Sequence, residues 1–236
     1  MAGHDRIHGG EWNDGNRRDS GTDQKELKAT ERPQFRRYEP ADADAVWELH
    51  DRALRDAGTD PADVPGTEDL RRIEAAYLDV GGEFLIGVVP ATEDENVNGN
   101  PRDDSGAEAE DDGASPERRT HRRPSRAREL RTDDGLLVAM GGFVPREASD
   151  AGKRTLAGAA ELHRMRVAPA VQRRGYGREL LERVERRAAD SGFDRLLATT
   201  ARNQSAAVAF YPAAGYERVG ESTDSGYRLL HFEKRL

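Results

Sequence analysis

Two long polar segments interrupt this chain and leave only part of it able to form a hydrophobic core. Residues 1–31 contain three large apolar residues besides the initiator methionine. Residues 91–134 carry nine acids between Glu93 and Asp112, followed by seven arginines between Arg118 and Arg131. Such segments bury too little apolar surface to offset the entropy lost on ordering. We therefore predict a disordered tail over residues 1–31 and a disordered charged insert over residues 91–134.

The rest of residues 32–236 is long enough for one domain and carries clear helix and strand patterns. One helix is expected between Asp42 and Gly58, and a second after Thr67, where Leu70, Ile73, Tyr77 and Val80 share one face. The other predicted elements are strands Gln34–Tyr38, Glu83–Val89, Leu136–Val144, Ala159–Val167 and Arg195–Thr200, helices Gly177–Ala189 and Ser205–Ala214, and two strands in the last twenty residues.

The predicted order β-α-α-β-β-β-α-β-α-β-β indicates an α+β fold. The strands Glu83–Val89 and Leu136–Val144 flank the charged insert, so we expect them to be neighbours joined by an enlarged connection. The long helix Gly177–Ala189 should carry a parallel crossover between the strands on either side of it.

Composition excludes several classes of protein. The chain has no cysteine, which rules out disulfides, thiolate metal sites and a cysteine nucleophile. No stretch approaches the roughly 20 apolar residues of a membrane span, and the first thirty residues lack the apolar core of a signal peptide. The net charge of −8 argues against a general nucleic-acid-binding surface. We expect a soluble cytoplasmic protein without a metal.

A glycine-containing loop follows the strand Ala159–Val167 and opens the next helix. It reads Gln172-Arg173-Arg174-Gly175-Tyr176-Gly177 and is followed by Arg178. Glycines let the backbone approach a ligand, and the N–H groups at a helix start form an anion site with the helix dipole. With three arginines nearby, a pyrophosphate is a suitable ligand.

Two common phosphate-binding motifs match this loop poorly. A Walker loop needs four residues between its glycines and a following Gly-Lys-Ser/Thr, which is absent. A Rossmann fingerprint needs a third small residue where Leu180 stands, and should follow the first strand of a βαβ repeat. A plain tight turn without a ligand remains open on the loop alone.

Two motifs together resemble the GNAT superfamily of acyl-CoA-dependent N-acyltransferases. Its hallmark is Gln/Arg-x-x-Gly-x-Gly/Ala after a strand that ends in Val-x-Pro. Its second pattern is an Asn before a helix with Ala-x-x-Phe/Leu-Tyr and then Gly-Phe/Tyr. This chain has Val167-Ala168-Pro169, Gln172 to Gly177, Asn203, Ala207, Phe210-Tyr211 and Gly215-Tyr216. The resemblance covers about residues 34–236 without the insert, and implies a mixed, mostly antiparallel sheet flanked by helices.

The resemblance also implies how acetyl-CoA would bind. Backbone N–H groups from about Arg173 to Gly177 would bind its pyrophosphate. The strand ending at Val167 would carry a bulge and pair with the pantetheine arm, with the N–H of Met165 polarising the thioester carbonyl. Asn203 would hydrogen-bond the arm, or alternatively cap the following helix.

Acetyl transfer to an amine requires a base and an acid, because an ammonium cannot attack a thioester. The resemblance places a base at Glu161; the alternative is a strand glutamate paired with an arginine. His163, two residues further on, is the second candidate, and a structural histidine is its alternative. Tyr211 matches the family's acid, whose hydroxyl faces the CoA sulfur, or is a core aromatic. Pro212 directly after it disfavours helical geometry there.

We therefore expect an N-acetyltransferase that acts by direct attack of an amine within a ternary complex. The alternatives are a non-catalytic acyl-CoA-binding regulatory module, or a binder of nucleic acid or acidic protein that works through Arg118–Arg131. The acceptor stays open between a small amine and a protein amine. The loops Asp56–Glu68 and Pro145–Leu156 should shape its site, and their acids mildly favour a cationic amine. The oligomeric state is open, with a homodimer as one option.

Overall fold

The computed structural model describes residues 32–64, 66–90, 130–146, 158–224 and 226–236. These residues belong to one compact unit. The predicted tail, and residues 91–129 of the predicted insert, lie outside the described residues, so their disorder stays a prediction.

The described residues form eight strands and three α-helices. In chain order these are β1 (Gln34–Arg37), α1 (Ala43–Asp56), β2 (Glu83–Pro90), β3 (Arg131–Thr132), β4 (Gly135–Pro145), β5 (Ala159–Val167), α2 (Tyr176–Asp190), β6 (Arg195–Ala201), α3 (Ser205–Ala213), β7 (Glu217–Asp224) and β8 (Tyr227–Arg235).

The strands form one sheet in the order β1-β2-β4-β5-β6-β8-β7, with β3 paired to β4. Every pair is antiparallel except β5 with β6, which α2 connects as a parallel crossover. β2 and β4 pair along their length, as expected for strands on either side of an enlarged connection. The predicted α+β fold with a mixed, mostly antiparallel sheet is confirmed.

Helices cover both faces of the sheet. On one face, α2 buries Leu180, Leu181, Val184 and Ala188 in a cluster with sheet residues such as Phe143. We call this the α2 face. On the other, α1 packs against β4 and β5, and Phe84 contacts the rings of Tyr38 and Tyr77. We call this the α1 face.

The second predicted helix does not form as a regular α-helix. Thr67–Arg71 is a 3-10 turn, and Glu74–Leu78 is a single π-helical turn. Arg72 between them has φ −141°, which breaks the helix. Leu70, Ile73 and Tyr77 are buried as predicted, but Val80 is 39% exposed. Tertiary packing of the three buried side chains therefore overrides the helical period.

The predicted end of the insert at residue 134 is wrong. Leu130 is buried, and β3 pairs with β4 through Arg131–Leu136 and Thr132–Gly135. Asp134 accepts a hydrogen bond of 2.7 Å from Arg36 Nε. Residues 130–134 therefore belong to the folded domain, as a buried leucine, the two-residue strand β3 and the turn that leads into β4.

Candidate active site

The neighbouring strands β5 and β6 separate partway along their length. Their parallel pairing runs from Ala159–Arg195 to Leu162–Ala198 and ends there, in the part of the chain that the structure describes. β5 continues to Val167 along β4, while β6 continues to Ala201 along β8. The side chains of residues 163–167 are only half-buried. A cleft between β5 and β6 therefore begins after Leu162.

β5 carries one extra residue at the start of this cleft. Gly142 on β4 pairs with His163, and Met140 on β4 pairs with Arg166. Two steps along β4 thus correspond to three steps along β5. Arg164 has φ +56°, a left-handed conformation that is uncommon for a residue other than glycine. The bulge explains why Leu162, Met165 and Val167 all pack with the α2 cluster despite their spacing. The bulge implied by the resemblance is present.

The loop after β5 has the form expected of an anion site. A 3-10 turn, Pro169–Val171, leads to Gln172, whose Nε2 lies 3.4 Å from the carbonyl oxygen of Val167. Gly175 has φ +90° and is the N-cap residue of α2, and no heavy atom of the described residues lies within 4 Å of the position of a Cβ there. Gly177, by contrast, has Val167 Cγ2 3.3 Å from that position. One glycine leaves space for a ligand and the other lets β5 and α2 pack closely.

The charged residues of this loop differ in what they contact. Arg173 and Arg174 are exposed, and Arg173 has φ +66°. Arg178 donates to the carbonyl oxygen of Ala213 at the end of α3 (2.9 Å), so it links two helices as well as adding charge near the loop. Tyr176 begins α2. Asn203 is exposed before α3, but the N-cap residue is Gln204, so the alternative capping role for Asn203 is wrong.

Tyr211 lies within α3, which continues through Pro212 to Ala213. Its ring packs against those of Phe210, Tyr216 and Phe232, with centroids 5.5–5.6 Å apart. Burial raises the pKa of its hydroxyl to about 12, although the charge of Arg166 acts in the opposite direction. The hydroxyl is therefore protonated across the physiological range. Arg166, whose charge acts on its pKa, lies on β5.

Glu161 is paired with an arginine, as in the alternative interpretation of its sequence, but the sequence did not identify which arginine. Its Oε2 accepts a hydrogen bond from Arg146 Nη1, and both side chains are about 8% exposed. Thr199 Oγ1 on β6 lies 3.4 Å from the other carboxylate oxygen. Arg146 directly follows β4, and Val144 pairs with Glu161 across the sheet. The register between β4 and β5 brings the arginine to the glutamate, and that register was not available from sequence.

His163 lies on the α1 face, with its ring against that of Tyr77 (centroids 6.1 Å apart). Burial lowers its pKa, and Glu161 partly opposes this effect. Its Nε2 is buried without a hydrogen-bond partner among the described residues. The imidazole is therefore neutral at pH 7 and has a ring nitrogen available to a ligand.

A buried polar cluster on the α1 face was missed by sequence reasoning. Asp69 accepts hydrogen bonds from Tyr77 Oη (2.6 Å) and Arg164 Nε (2.9 Å). His50 of α1 is fully buried, and neither of its ring nitrogens has a partner in the part of the chain that the structure describes. Arg166 donates to the carbonyl of Met165 (2.9 Å), and its Nε is likewise buried without a partner there. His50 could have been identified, because it falls on the buried face of α1 with Val46, Leu49, Ala53 and Leu54.

Among the described residues, no group of histidine, aspartate and glutamate side chains could hold a metal ion. No helix in this part of the chain has the length and apolar character needed to cross a membrane.

Comparisons with known proteins agree with this geometry. A sequence model described as the acetyltransferase (GNAT) family matches residues 81–216. A GNAT-family acetyltransferase from Staphylococcus aureus Mu50 is similar in structure, with TM-score 0.56 and 14% identity over 86% of this chain and 98% of that chain. A ribosomal-protein-alanine N-acetyltransferase from Brucella melitensis gives TM-score 0.53 and 18% identity over 86% and 99%. The structure of yncA from Salmonella typhimurium, solved with its cofactor acetyl-CoA, gives TM-score 0.52 and 16% identity over 86% of this chain and 93% of that chain. A search of curated proteins found no match.

Proposed function

This chain belongs to the GNAT family of acetyltransferases and is an N-acetyltransferase that uses acetyl-CoA; from that premise we propose that it acetylates a primary amine by direct attack in a ternary complex. The observation that carries this proposal is the cleft between β5 and β6, which opens beside the Gly175 loop. The amine nitrogen attacks the thioester carbonyl, the C–N bond forms, the C–S bond breaks, and the thiolate leaves and takes up a proton.

In this proposal the donor lies along the cleft. The pyrophosphate binds at the backbone of Arg173, Arg174, Gly175, Tyr176 and Gly177, where the space beside Gly175 admits it. The backbone of β5 from Met165 to Val167 pairs with the pantetheine arm as an added strand would. The N–H of Met165 polarises the thioester carbonyl. Gln172 supports the loop through Val167, Arg178 adds charge nearby, and Asn203 contacts the arm from the opposite side of the cleft.

Tyr211 is the proposed acid. Burial keeps its hydroxyl protonated, and the hydroxyl makes no hydrogen bond within the described residues that would withhold the proton. α3 continues through Pro212, so Tyr211 keeps helical geometry and remains the candidate for the acid.

We assign the base to His163 in preference to Glu161. Protonating Glu161 would weaken its ion pair with Arg146, which costs free energy when both side chains are buried. The neutral imidazole of His163 has a ring nitrogen without a partner among the described residues and can accept the proton directly or through water. In this proposal Glu161 holds Arg146 and Thr199 in place and acts through its charge on His163.

The test is a screen of amine acceptors with release of the CoA thiol as the readout, followed by two variants. His163→Gln should lower kcat/KM most below the pKa of the acceptor amine and recover as pH rises, because free amine then forms in solution. Glu161→Gln should lower it without that recovery. The reverse pattern would return the base to Glu161, and a chain that binds acetyl-CoA but acetylates no amine would refute the proposed function.

A further inference from the structure

The polar cluster on the α1 face contains three buried nitrogen atoms that lack hydrogen-bond partners within the described residues and that the proposed chemistry does not use. They are Nδ1 and Nε2 of His50 and Nε of Arg166. Buried polar atoms in folded proteins are nearly always paired, since an unpaired one costs roughly 1–3 kcal/mol. Three on one face of the sheet therefore indicate a place where a ligand supplies the missing partners.

The charges around this place do not balance. Arg164 is paired with Asp69, and Arg146 is paired with Glu161. Tyr77 is neutral because burial raises its pKa, and His50 is neutral because burial, with help from Arg166 and Arg164, lowers its pKa to about 4. Arg166 has no carboxylate partner within the described residues. One half-buried guanidinium is thus left without a counter-charge in this part of the chain.

The position of Arg166 relates this charge to the reaction. Its guanidinium interacts electrostatically with Tyr211, the proposed acid. It also interacts in this way with Arg164, Tyr77 and Asp69 on the α1 face. Met165 and Val167, on either side of it, pack on the α2 face. Arg166 therefore faces α1, on the opposite side of β5 from these two side chains, and in the proposed function the acceptor approaches from this side.

We propose that the acceptor is an amino acid whose carboxylate binds Arg166 and His50, with its amine close to that carboxylate. The planar guanidinium presents parallel N–H donors that match the two oxygens of a carboxylate. His50 adds a ring N–H donor from α1, and the amine of the same molecule then lies near the thioester. This inference rests on the proposed function and identifies its acceptor class. It narrows the sequence expectation of a cationic amine to one that also carries a carboxylate.

Arg164 is a positioning residue for this site. Its side chain joins the β5 bulge to Asp69 and to the carbonyl oxygen of Gly66, at the loop that precedes the 3-10 turn. The contact fixes the bulge that turns Arg166 toward the α1 face. Arg164→Lys should therefore raise the KM of the amino acid more than that of acetyl-CoA, whose pantetheine arm is proposed to pair with the same strand.

The experiment compares L-amino acids with their carboxamides, which keep the amine and the side chain but lose the negative charge. We expect the wild-type chain to prefer the amino acid in kcat/KM by roughly 10- to 100-fold, the range of a charge-assisted hydrogen bond. Arg166→Gln should reduce this preference to near unity, and Arg166→Lys should keep part of it. Arg187→Gln, on the exposed face of α2, is the matched control and should retain the full preference.

A binding readout accompanies the assay. An N-acetylated amino acid, added with CoA, should raise the unfolding midpoint of the wild type but not that of Arg166→Gln. Without ligand, Arg166→Gln should be at least as stable as the wild type, because it removes an unpaired charge; a merely structural arginine would give the opposite result. A wild-type chain that acetylates carboxamides or other amines equally well would overturn the inference while leaving the proposed function intact. Acetylation of no amine at all would refute both.

Discussion

Replacing Tyr211 with phenylalanine tests the proposed acid with little change in packing. The ring would keep its contacts with Phe210, Tyr216 and Phe232, and only the hydroxyl would be lost. Because that hydroxyl makes no hydrogen bond within the described residues, the free energy of unfolding should change by less than about 0.5 kcal/mol. Any loss of turnover is then a loss of chemistry.

The raised pKa sets the size of the expected effect. A phenol with a pKa of about 12 is a weaker acid than a thiol with a pKa of about 8.5, so complete proton transfer to the thiolate is uphill by about 5 kcal/mol. Tyr211 should therefore act mainly by donating a hydrogen bond as the thiolate forms. We expect kcat to fall about 10²-fold, or about 2.7 kcal/mol, at the lower end of the range for acid catalysis.

The assay is steady-state release of the CoA thiol between about pH 6 and about pH 10.5. The wild type should show no decline of kcat from ionisation of Tyr211 in this range, because its pKa is about 12. Tyr216→Phe is the control, since it removes a hydroxyl from the ring that packs 5.5 Å from that of Tyr211. If Tyr211→Phe retained the wild-type kcat, the tyrosine would be a packing residue and solvent would protonate the thiolate.

Three further perturbations address the donor site, the insert and the buried histidine. In a calorimetric melt, acetyl-CoA at a hundredfold excess over its Kd should stabilise the wild type by about 2.7 kcal/mol. Gly175→Val should lose that gain. Gly192→Val is the control and should keep it, because Gly192 lies at the other end of α2 with the same φ of +90° and equally open space around it. Replacing residues 92–129 with a short Gly-Ser linker should leave the unfolding midpoint nearly unchanged, but extending the deletion to residues 92–134 should lower stability by about 2 kcal/mol, through loss of a buried leucine. The free energy of unfolding should fall by up to about 3 kcal/mol as pH drops from 6.5 to 4, because His50 binds a proton more readily in the unfolded chain than in the folded one. Chemical denaturation at a series of pH values should show this dependence on pH in the wild type and a weaker one in His50→Leu.

The region around β5 was predictable because its signals are local. A strand that ends before Pro169, a glycine at the start of a helix and an apolar stripe on that helix all lie within a short stretch, and β5 has the predicted bounds. The resemblance added the bulge, and the packing of Leu162, Met165 and Val167 on one face agrees with it.

The missed features depend on contacts between distant parts of the chain. Arg146 meets Glu161 only through the register of β4 with β5, and Asp69 meets Arg164 across 95 residues of sequence. The predicted second helix failed for a related reason, because Asp69 and Tyr77 are held together by a hydrogen bond that does not require helical geometry between them. Spacing along the chain describes one element at a time, whereas a site of this kind is formed by several.

The extra residue in β5 determines which partner each side chain meets. Were the strand regular throughout, Arg166 would point into the apolar cluster under α2, and Met165 would turn toward α1. With the bulge, Arg166 faces α1 and the proposed acceptor, while Met165 and Val167 pack under α2 and their backbone forms the strand edge proposed to bind the donor. Substitutions at Arg166 can then change which amines are accepted while Met165 and Val167 preserve the use of acetyl-CoA, so in evolution or in the laboratory the two specificities of this enzyme could be altered separately along a single strand.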